Sequence, residues 1–347
     1  MITAICSGVL VLILVITMIV THTIIKGQFG RGSYPDVPTA DLYYHDYEEQ
    51  YPRTPISFLS GKNRLQGYIY GAENDMGLLV FAHGIGGGHE SYIKEILWMV
   101  DHGWRVLAYD ATGSCESEGE GTVGLVQSAL DLDAALTYVE NNASLSKLPI
   151  CLMGHSWGGY AVTAALSFDH DVVGSVSISG YAEPVEMMMQ FAKVAMGDAT
   201  TLLYPFVWLD EHLTFGKHAS LSAIDGINQS NIPVLLIHGT EDELIPLRTA
   251  SVIGHAAEIT NCNVVYREID WKGRNGHSTL FRSAESLSYI DKINAEYKQL
   301  YDAHNGSIPA AARADFYEAV DKETVNRPNE ELLGEIHTFL TDILKVQ

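Results

Sequence analysis

The stretch that decides the fold is Leu148–Phe168, which reads LPICLMGHSWGGYAVTAALSF. A short apolar run is followed by a serine between glycines and then by an alanine-rich run, which predicts a strand, a sharp turn and a helix. Gly154, Ser156 and Gly158 form the pattern GxSxG, in which a serine on a strained turn stands clear of the backbone at the edge of a sheet. Glycines suit the flanks because side chains there would clash where the strand and the helix nearly touch.

Strand-like and helix-like runs alternate on both sides of this stretch. We expect strands at 77–83, 104–110, 150–154, 172–179, 233–238 and 263–270, preceded by a strand pair at 56–59 and 65–70. We expect helices at 91–101, 123–142 and 157–168, from about Ile245, and at 331–344. This alternation predicts an α/β fold with a mostly parallel, doubly wound sheet over residues 53–347.

The alternation is interrupted over about 181–231, where three methionines and an aromatic cluster occur. We interpret this segment as a mostly helical cap inserted over the strand ends. Its apolar residues either pack against the sheet or line an apolar substrate pocket, since ligand sites are mostly apolar with few polar groups. The sequence leaves both possibilities open.

The amino-acid composition restricts the kinds of molecule that this protein is expected to bind. The chain has 347 residues and a net charge of −22, which argues against nucleic acid or anionic lipid headgroups because both repel such a surface. Basic or neutral ligands are easier to reconcile with this charge. The four cysteines have no paired spacing, so neither a disulfide framework nor a zinc site is expected. No pattern indicates an oligomeric state.

Residues 1–25 contain no Asp, Glu, Lys or Arg and are long enough to cross a bilayer as a helix. A cleaved signal peptide is the alternative. We favour an uncleaved single-pass anchor because no Lys or Arg precedes the apolar run and no clear small-x-small cleavage site follows it. Lys26 and Arg31 come after the span, which favours a cytoplasmic catalytic domain. Residues 26–52, rich in Gly, Pro and Ser at their start, are expected to form a tether and a lead-in segment.

A serine hydroxyl is a poor nucleophile near neutral pH, so it needs a base within hydrogen-bond reach. His277 suits this role because it lies in the glycine-bearing loop GRNGHS after the last expected strand. His155 and His238 are less suitable. The first adjoins the serine and cannot easily fold back onto it, and the second ends a buried strand.

An acid must in turn orient the histidine. Asp242 lies in HGTEDELIP, just beyond an expected strand, where active-site groups of such sheets collect. Glu241 and Glu243 are its competitors on the same loop. The order Ser156, Asp242, His277 is the order Ser, acid, His expected of α/β-hydrolases.

The loop His83–Gly88, HGIGGG, follows another expected strand. Its glycines let the backbone approach a substrate with amide groups pointing inward, as an oxyanion hole requires. A phosphate-binding loop is the alternative, but no Lys-Ser/Thr pair follows, as that motif would need.

With these motifs in place, the chain resembles the α/β-hydrolase superfamily, specifically its serine-aminopeptidase and monoacylglycerol-lipase-like branch. The resemblance covers about 56–281 and the last helix, and rests on five motifs: HGIGG at 83–87, YDATGSCESEG at 109–119, GHSWGG at 154–159, HGTEDELIP at 238–246 and NGHS at 275–278. It implies Ser156 as nucleophile, Asp242 as acid and His277 as base, with the backbone amides of Ile85 and Trp157 as oxyanion donors. It implies no metal and no organic cofactor.

Two features depart from this family. The loop after Asp110 lacks the arginine and the second glycine of the usual DxRGxGxS, so it is expected to pack differently. An acidic, helix-prone insertion at about 283–328 separates the histidine loop from the last helix. Its role is left open: it is a second lid element, a surface for a partner, or filler.

These observations predict a membrane-anchored serine hydrolase that cleaves a carboxylic ester, lipid-like or of a small acyl group, through an acyl-enzyme. An aminopeptidase-like activity on peptides or a thioesterase activity on the same triad is the alternative. A non-catalytic, membrane-anchored binding protein on a hydrolase fold is the alternative of another class, since fold does not determine function.

Overall fold

The computed structural model describes residues 2–346, and over these residues eight strands form one sheet in the order β1-β2-β4-β3-β5-β6-β7-β8. The strands are β1 Arg53–Ser60, β2 Asn63–Tyr70, β3 Leu78–Ala82, β4 Arg105–Tyr109, β5 Ile150–His155, β6 Val172–Ile178, β7 Val234–Gly239 and β8 Val264–Ile269. β2 pairs antiparallel with β1 and β4, and every other pairing is parallel. The predicted mostly parallel sheet is therefore confirmed.

Helices cover both faces of this sheet. The helices are α1 Ile2–Gln28, α2 Ile93–Asp101, α3 Gln127–Glu140, α4 Trp157–Ala164, α5 Pro184–Met196, α6 Tyr204–Phe215, α7 Ala223–Ser230, α8 Ala284–Ala303, α9 Ala310–Glu318, α10 Lys322–Val325 and α11 Glu330–Val346. Leu132 and Leu136 of α3 lie in one core, and Ile96 of α2 and Leu340 of α11 lie in the other. Because each face carries its own core, the central strands read as continuous apolar runs.

The helix expected from about Ile245 does not form. The backbone there pairs with other segments instead, because Ile245 N donates to the Asp242 carboxylate and Val252 N donates to Gly180 O. A short 3₁₀ helix, Ile253–Glu258, follows in its place.

The segment expected as a tether is held against the domain. Its backbone forms three hydrogen bonds with the loop after β4: Thr122 N donates to Phe29 O at 3.0 Å, Gly32 N to Gly113 O at 2.9 Å, and Cys115 N to Gly32 O at 2.9 Å. A 3₁₀ turn, Tyr44–Asp46, is the only helical element of the lead-in among the described residues. The segment is therefore part of the folded domain, because its backbone groups find partners there.

Helix α1 is long and apolar enough to cross a membrane, a test that a signal sequence near the N-terminus also passes. It continues three residues beyond the predicted end at Ile25, while Met1 lies outside the described residues. Its second half packs against α6, where His22 Nδ1 lies 2.8 Å from Asp210 Oδ1. Thr21, beside His22, is buried.

Two helical insertions extend from the sheet domain. Helices α5, α6 and α7 lie between β6 and β7, within the segment predicted as a cap. Helices α8, α9 and α10 occupy the acidic insertion, where Tyr297 packs against Phe316 and Tyr317. Asn326 at its end donates to Ala40 O at 2.7 Å and so joins the insertion to the lead-in segment.

Candidate active site

Ser156 lies on the turn between β5 and α4, with φ of 57° and ψ of −114°. A non-glycine residue rarely adopts this left-handed backbone, so the turn is strained, as the nucleophile elbow of an α/β sheet is expected to be. Ser156 N donates to Ile178 O of β6 at 2.8 Å, which fixes the turn against the neighbouring strand. The residue remains partly exposed.

The flanking glycines are required by the close approach of strand and helix. A Cβ added at Gly154 would lie 2.3 Å from Gly158 O, and one added at Gly158 would lie 2.0 Å from Ala82 O. Any side chain at either position would force the backbone apart.

The structure brings Asp242 and His277 together. Nδ1 of His277 lies 2.8 Å and 3.0 Å from the two carboxylate oxygens of Asp242, and both side chains are buried. Because a carboxylate only accepts, Nδ1 carries the proton and Nε2 is left free to accept one. This is the tautomer that a general base requires.

Asp242 is held by its own loop. Its Oδ1 accepts the amides of Leu244 at 3.0 Å and Ile245 at 2.8 Å, and Nε2 of His238 lies 3.2 Å from Oδ2. Burial opposes ionisation of the carboxyl, but the hydrogen bonds from His238 and His277 prevail and hold its pKa well below the usual range. The carboxylate is therefore charged wherever the enzyme is folded near neutral pH.

The competing residues take other positions. Glu243 Oε2 accepts the backbone amide of His277 at 3.0 Å rather than the ring, and Glu241 is exposed. His238 Nε2 lies 2.8 Å from Ile245 O and 3.2 Å from Asp242 Oδ2, so this ring supports the carboxylate and its loop. Sequence reasoning missed the contacts of His238 and Glu243, although both lie within four residues of Asp242.

His155, set aside as a base in the sequence analysis, links two active-site loops. Its Nε2 donates to His277 O at 3.0 Å, and its Nδ1 accepts the hydroxyl of Tyr92 at 2.8 Å. The hydroxyl oxygen of Tyr92 in turn accepts the amide of Gly84 at 3.2 Å. Burial, together with the neighbouring His277 ring, lowers the pKa of His155 to about 3, so this ring is neutral. A single polar chain thus runs from the glycine loop to the backbone of His277.

Ser156 adjoins both loops. A Cβ placed on Gly84 would lie 3.5 Å from Cβ of Ser156, and the rings of His155 and His277 are 4.7 Å apart between centroids. The hydrogen bonds of residues 2–346 do not include one between Ser156 Oγ and His277. Catalytic hydrogen bonds are often long in ligand-free sites and shorten when substrate is bound.

The loop after β3 is anchored by His83. Its buried ring donates from Nδ1 to Gly84 O at 2.7 Å and accepts Ala111 N on Nε2 at 2.9 Å. Burial lowers the pKa of His83, in agreement with this neutral tautomer. The predicted oxyanion donors are the backbone amides of Ile85 and Trp157. Within the described chain, neither amide donates one of the backbone hydrogen bonds that turns, loops and helix caps form. Both are therefore available to a substrate oxygen.

The loop after β4, which departs from the family pattern, is stabilised from two directions. The Asp110 carboxylate accepts three hydrogen bonds: from the backbone amide of His89 at 3.0 Å, from Nδ1 of the His89 ring at 2.8 Å, and from the backbone amide of Glu116 at 3.0 Å. Burial opposes its ionisation, yet the His89 ring lowers the pKa of Asp110 to about 2. Arg31, from the segment before the domain, donates to the carbonyls of Cys115 and Gly119. An arginine from outside the loop thus contacts the loop whose own arginine is missing.

No three His, Cys, Asp or Glu side chains within the described residues are grouped so that they could hold a metal ion. What the arrangement offers is a strained serine, a histidine with a free ring nitrogen, a carboxylate that orients it, and two unpaired amides. These are the components of nucleophilic acyl transfer.

The eight-stranded sheet and the elbow at the end of its central strand β5 show an α/β-hydrolase fold, and the matching family model and solved structures support the α/β-hydrolase superfamily. Within it, the family model described as serine aminopeptidase, S33, matches residues 73–222. That segment contains the glycine loop and the elbow, whereas Asp242 and His277 lie beyond it.

Curated relatives match about half of the chain. It is 25% identical over 198 residues to polyketide transferase grgF of Penicillium, covering 53% of this chain and 67% of that protein. It is 25% identical over 189 residues to YfhR of Escherichia coli, an uncharacterised protein, covering 53% of this chain and 60% of that protein. It is 26% identical over 166 residues to human ABHD12B, covering 45% of this chain and 42% of that protein.

Solved structures extend the likeness of fold. An esterase of Pyrococcus furiosus superposes with a TM-score of 0.54 at 18% identity, covering 79% of this chain and 98% of that one. An acylaminoacyl peptidase of Pyrococcus horikoshii superposes with a TM-score of 0.50 at 17% identity, covering 67% of this chain and 39% of that one. At such identities the likeness concerns the fold alone.

Proposed function

We propose that this chain is a membrane-anchored serine hydrolase that cleaves a carboxylic ester, lipid-like or of a small acyl group, through an acyl-enzyme. The observation that carries this proposal is the His277–Asp242 pair, at 2.8 Å, on loops that lie beside the strained Ser156. The buried Asp242 carboxylate, fixed by two backbone amides, is placed to orient the imidazole of His277.

In the proposed mechanism, Ser156 Oγ attacks the ester carbonyl carbon while Nε2 of His277 takes the hydroxyl proton. The amides of Ile85 and Trp157 hold the negative charge of the tetrahedral oxyanion. The intermediate collapses with loss of the alkoxide, which receives the proton from His277, and the acyl group stays on Ser156. Water then attacks the acyl-enzyme in the same way and releases the carboxylic acid. Asp242 stabilises the imidazolium in both halves of the cycle.

We also propose that α1 is an uncleaved anchor. Its junction with α6 supports this, because removing α1 would leave the buried Asp210 without His22. We propose a cytoplasmic catalytic domain, on the charges of Lys26 and Arg31. Asn305 lies in an exposed Asn-Gly-Ser turn, a natural reporter of the opposite orientation. Expression in mammalian cells should give no endoglycosidase-sensitive form, whereas glycosylation at Asn305 would contradict this orientation.

Peptidase activity is the second candidate, favoured by the description of the matching family model. It would suit an acidic subsite for a peptide amino terminus, formed either by the cap or by Glu116 and Glu118. Both are already engaged: Glu116 accepts the Tyr68 hydroxyl, and Glu118 accepts the amide of Arg64 at 2.8 Å. This lowers the support for peptides relative to esters.

The test compares substrate classes on the full chain in detergent. Nitrophenyl esters of several acyl lengths, an acyl thioester and aminoacyl-naphthylamides are supplied to the unaltered protein and to Ser156→Ala. We expect the esters to be hydrolysed fastest and only by the protein with Ser156. Faster cleavage of the naphthylamides or the thioester would replace the ester proposal by the corresponding alternative. A folded protein that turns over none of them would favour the binding-protein alternative.

A further inference from the structure

Helices α5 and α6 and the turn between them expose an unusual number of large apolar side chains. We call this surface the α5–α6 face; its members are Phe191, Val194, Met196, Leu202, Tyr204, Trp208, Leu209 and Leu213. Val194 and Leu202 are each 79% exposed and Leu213 is 71% exposed, far more than packing residues of a soluble domain. Large apolar side chains exposed together on two neighbouring helices mark an interaction site.

The face carries almost no free charge. Between Phe191 and Leu213, Asp210 and Glu211 are buried, and the exposed ions Lys193 and Asp198 pair with each other at 3.0 Å. The chain as a whole has a net charge of −22, so this segment is an apolar area on an acidic molecule. A neutral apolar partner therefore fits it better than a charged one.

The position of α1 identifies that partner. A helix crosses a hydrocarbon core of about 30 Å with about 20 residues at about 1.5 Å each. The large apolar side chains of α1 are exposed from Ile5 to Val20, about 24 Å of helix, and the next turn is where Thr21 is buried and His22 contacts Asp210 of α6. Further along α1, Ile25 packs on the domain, whereas the neighbouring Ile24 is 48% exposed. Helix α6 is thus attached to α1 at the level where the membrane surface lies.

We propose that the α5–α6 face docks into the bilayer that α1 spans, with its apolar side chains in the headgroup and upper acyl region of zwitterionic lipid. This inference rests on the proposed anchor. It adds a second, peripheral contact with the membrane, which α1 alone would not require. Amphipathic helices that lie on a membrane bury their apolar side about 5–10 Å deep in this way.

The test uses the full chain reconstituted in phosphatidylcholine vesicles, with lipids brominated at a shallow acyl position as quenchers. Leu202→Trp places a reporter on the α5–α6 face, and Trp208 is a native one. Val265→Trp is the matched control, because Val265 is 49% exposed near the amino-terminal end of β8, at the side of the sheet opposite the inserted helices. The emission of each reporter is isolated by subtracting the emission spectrum of a protein that lacks it. For the introduced Leu202→Trp and Val265→Trp, the subtracted spectrum is that of the unaltered protein. For Trp208, the spectrum of Trp208→Phe is subtracted from that of the unaltered protein.

We expect brominated lipid to lower the emission of Leu202→Trp and of Trp208 about twofold and to leave Val265→Trp unchanged, because only the first two would lie at the depth of an interfacial helix. Protein that floats with the vesicles but shows no difference between the sites would overturn the docking and leave the anchor standing. Protein that does not float would overturn the anchor, and the docking with it. A reporter at 202 that escapes brominated lipid yet is shielded from aqueous iodide would place a second copy of the chain on the face, and would also overturn the proposal.

Discussion

Glu211 is a buried carboxyl group on α6 whose Oε2 has no hydrogen-bond partner within the described chain. Burial, reinforced by the charge of the adjacent Asp210, raises its pKa from 4.5 to about 7. The substitution Glu211→Gln keeps the shape of the side chain and removes its ionisation. It therefore isolates the cost of holding this carboxyl group inside the fold.

The sign of the effect follows from the raised pKa. The folded chain binds the Glu211 proton more tightly than the unfolded chain, so the contribution of this group to stability is fully present below pH about 4.5 and is lost as the pH rises through about 7. A rise of this size corresponds to about 3 kcal/mol. Glu211→Gln should thus match the unaltered protein near pH 4.5 and exceed it in stability by about 3 kcal/mol above pH 8.

The assay is thermal unfolding of the full chain in detergent at a series of pH values, read as the difference in Tm between variant and unaltered protein. At about 2.1 cal/mol/K of unfolding entropy per residue, a domain of about 300 residues gains about 1.6 °C per kcal/mol, so the expected gain above pH 8 is roughly 5 °C. Glu73→Gln, at an exposed glutamate before β3, is the matched control for the loss of one carboxyl group and should leave the Tm close to that of the unaltered protein. A Glu211→Gln protein whose difference in Tm is the same at all pH values, or grows towards acid, would refute the reasoning.

Three further substitutions test the site and its supports. Asp242→Asn should lower the kcat for ester hydrolysis by about 10⁴-fold, because a neutral amide no longer holds the required tautomer of His277; the exposed Glu241→Gln on the same loop should keep its activity, and equal losses would contradict the assignment of the acid. Tyr92→Phe removes the hydroxyl that joins Gly84 to His155 and should cost about 1–3 kcal/mol in denaturant unfolding; an unchanged midpoint would show that the polar chain adds nothing to stability. Gly158→Ala should abolish folding or sharply lower the Tm, because the added Cβ would lie 2.0 Å from Ala82 O. Gly334→Ala, with open space around the added Cβ, should be neutral or stabilising by up to about 1 kcal/mol. Similar Tm values for the two variants would argue against the tight elbow.

Local patterns predicted the elements of the fold well. Continuous apolar runs such as Leu78–Ala82 identify central strands because both faces of a parallel sheet are covered, and the GxSxG motif identifies the turn because only glycines fit beside it. The chain order of serine, acid and histidine then singled out Asp242 and His277, which the structure places in contact. Their catalytic roles remain predictions.

Contacts between distant segments were not predictable from such patterns. The hydrogen bonds from Tyr92 through His155 to His277 connect residues 63 and 122 positions apart, and no periodicity records them. The attachment of Phe29–Gly32 to the loop after β4 was missed for the same reason: a glycine-rich segment looks like a linker until its backbone partners are known.

The activated serine is the central claim, and fluorophosphonate labelling of the full chain tests it most directly. The labelled peptide is identified by mass in the unaltered protein, in Ser156→Ala and in His277→Ala, each shown to be folded by circular dichroism. We predict a single labelled site, Ser156, and loss of labelling in both variants. Labelling that persists in Ser156→Ala, or a folded unaltered protein that does not react, would contradict the account.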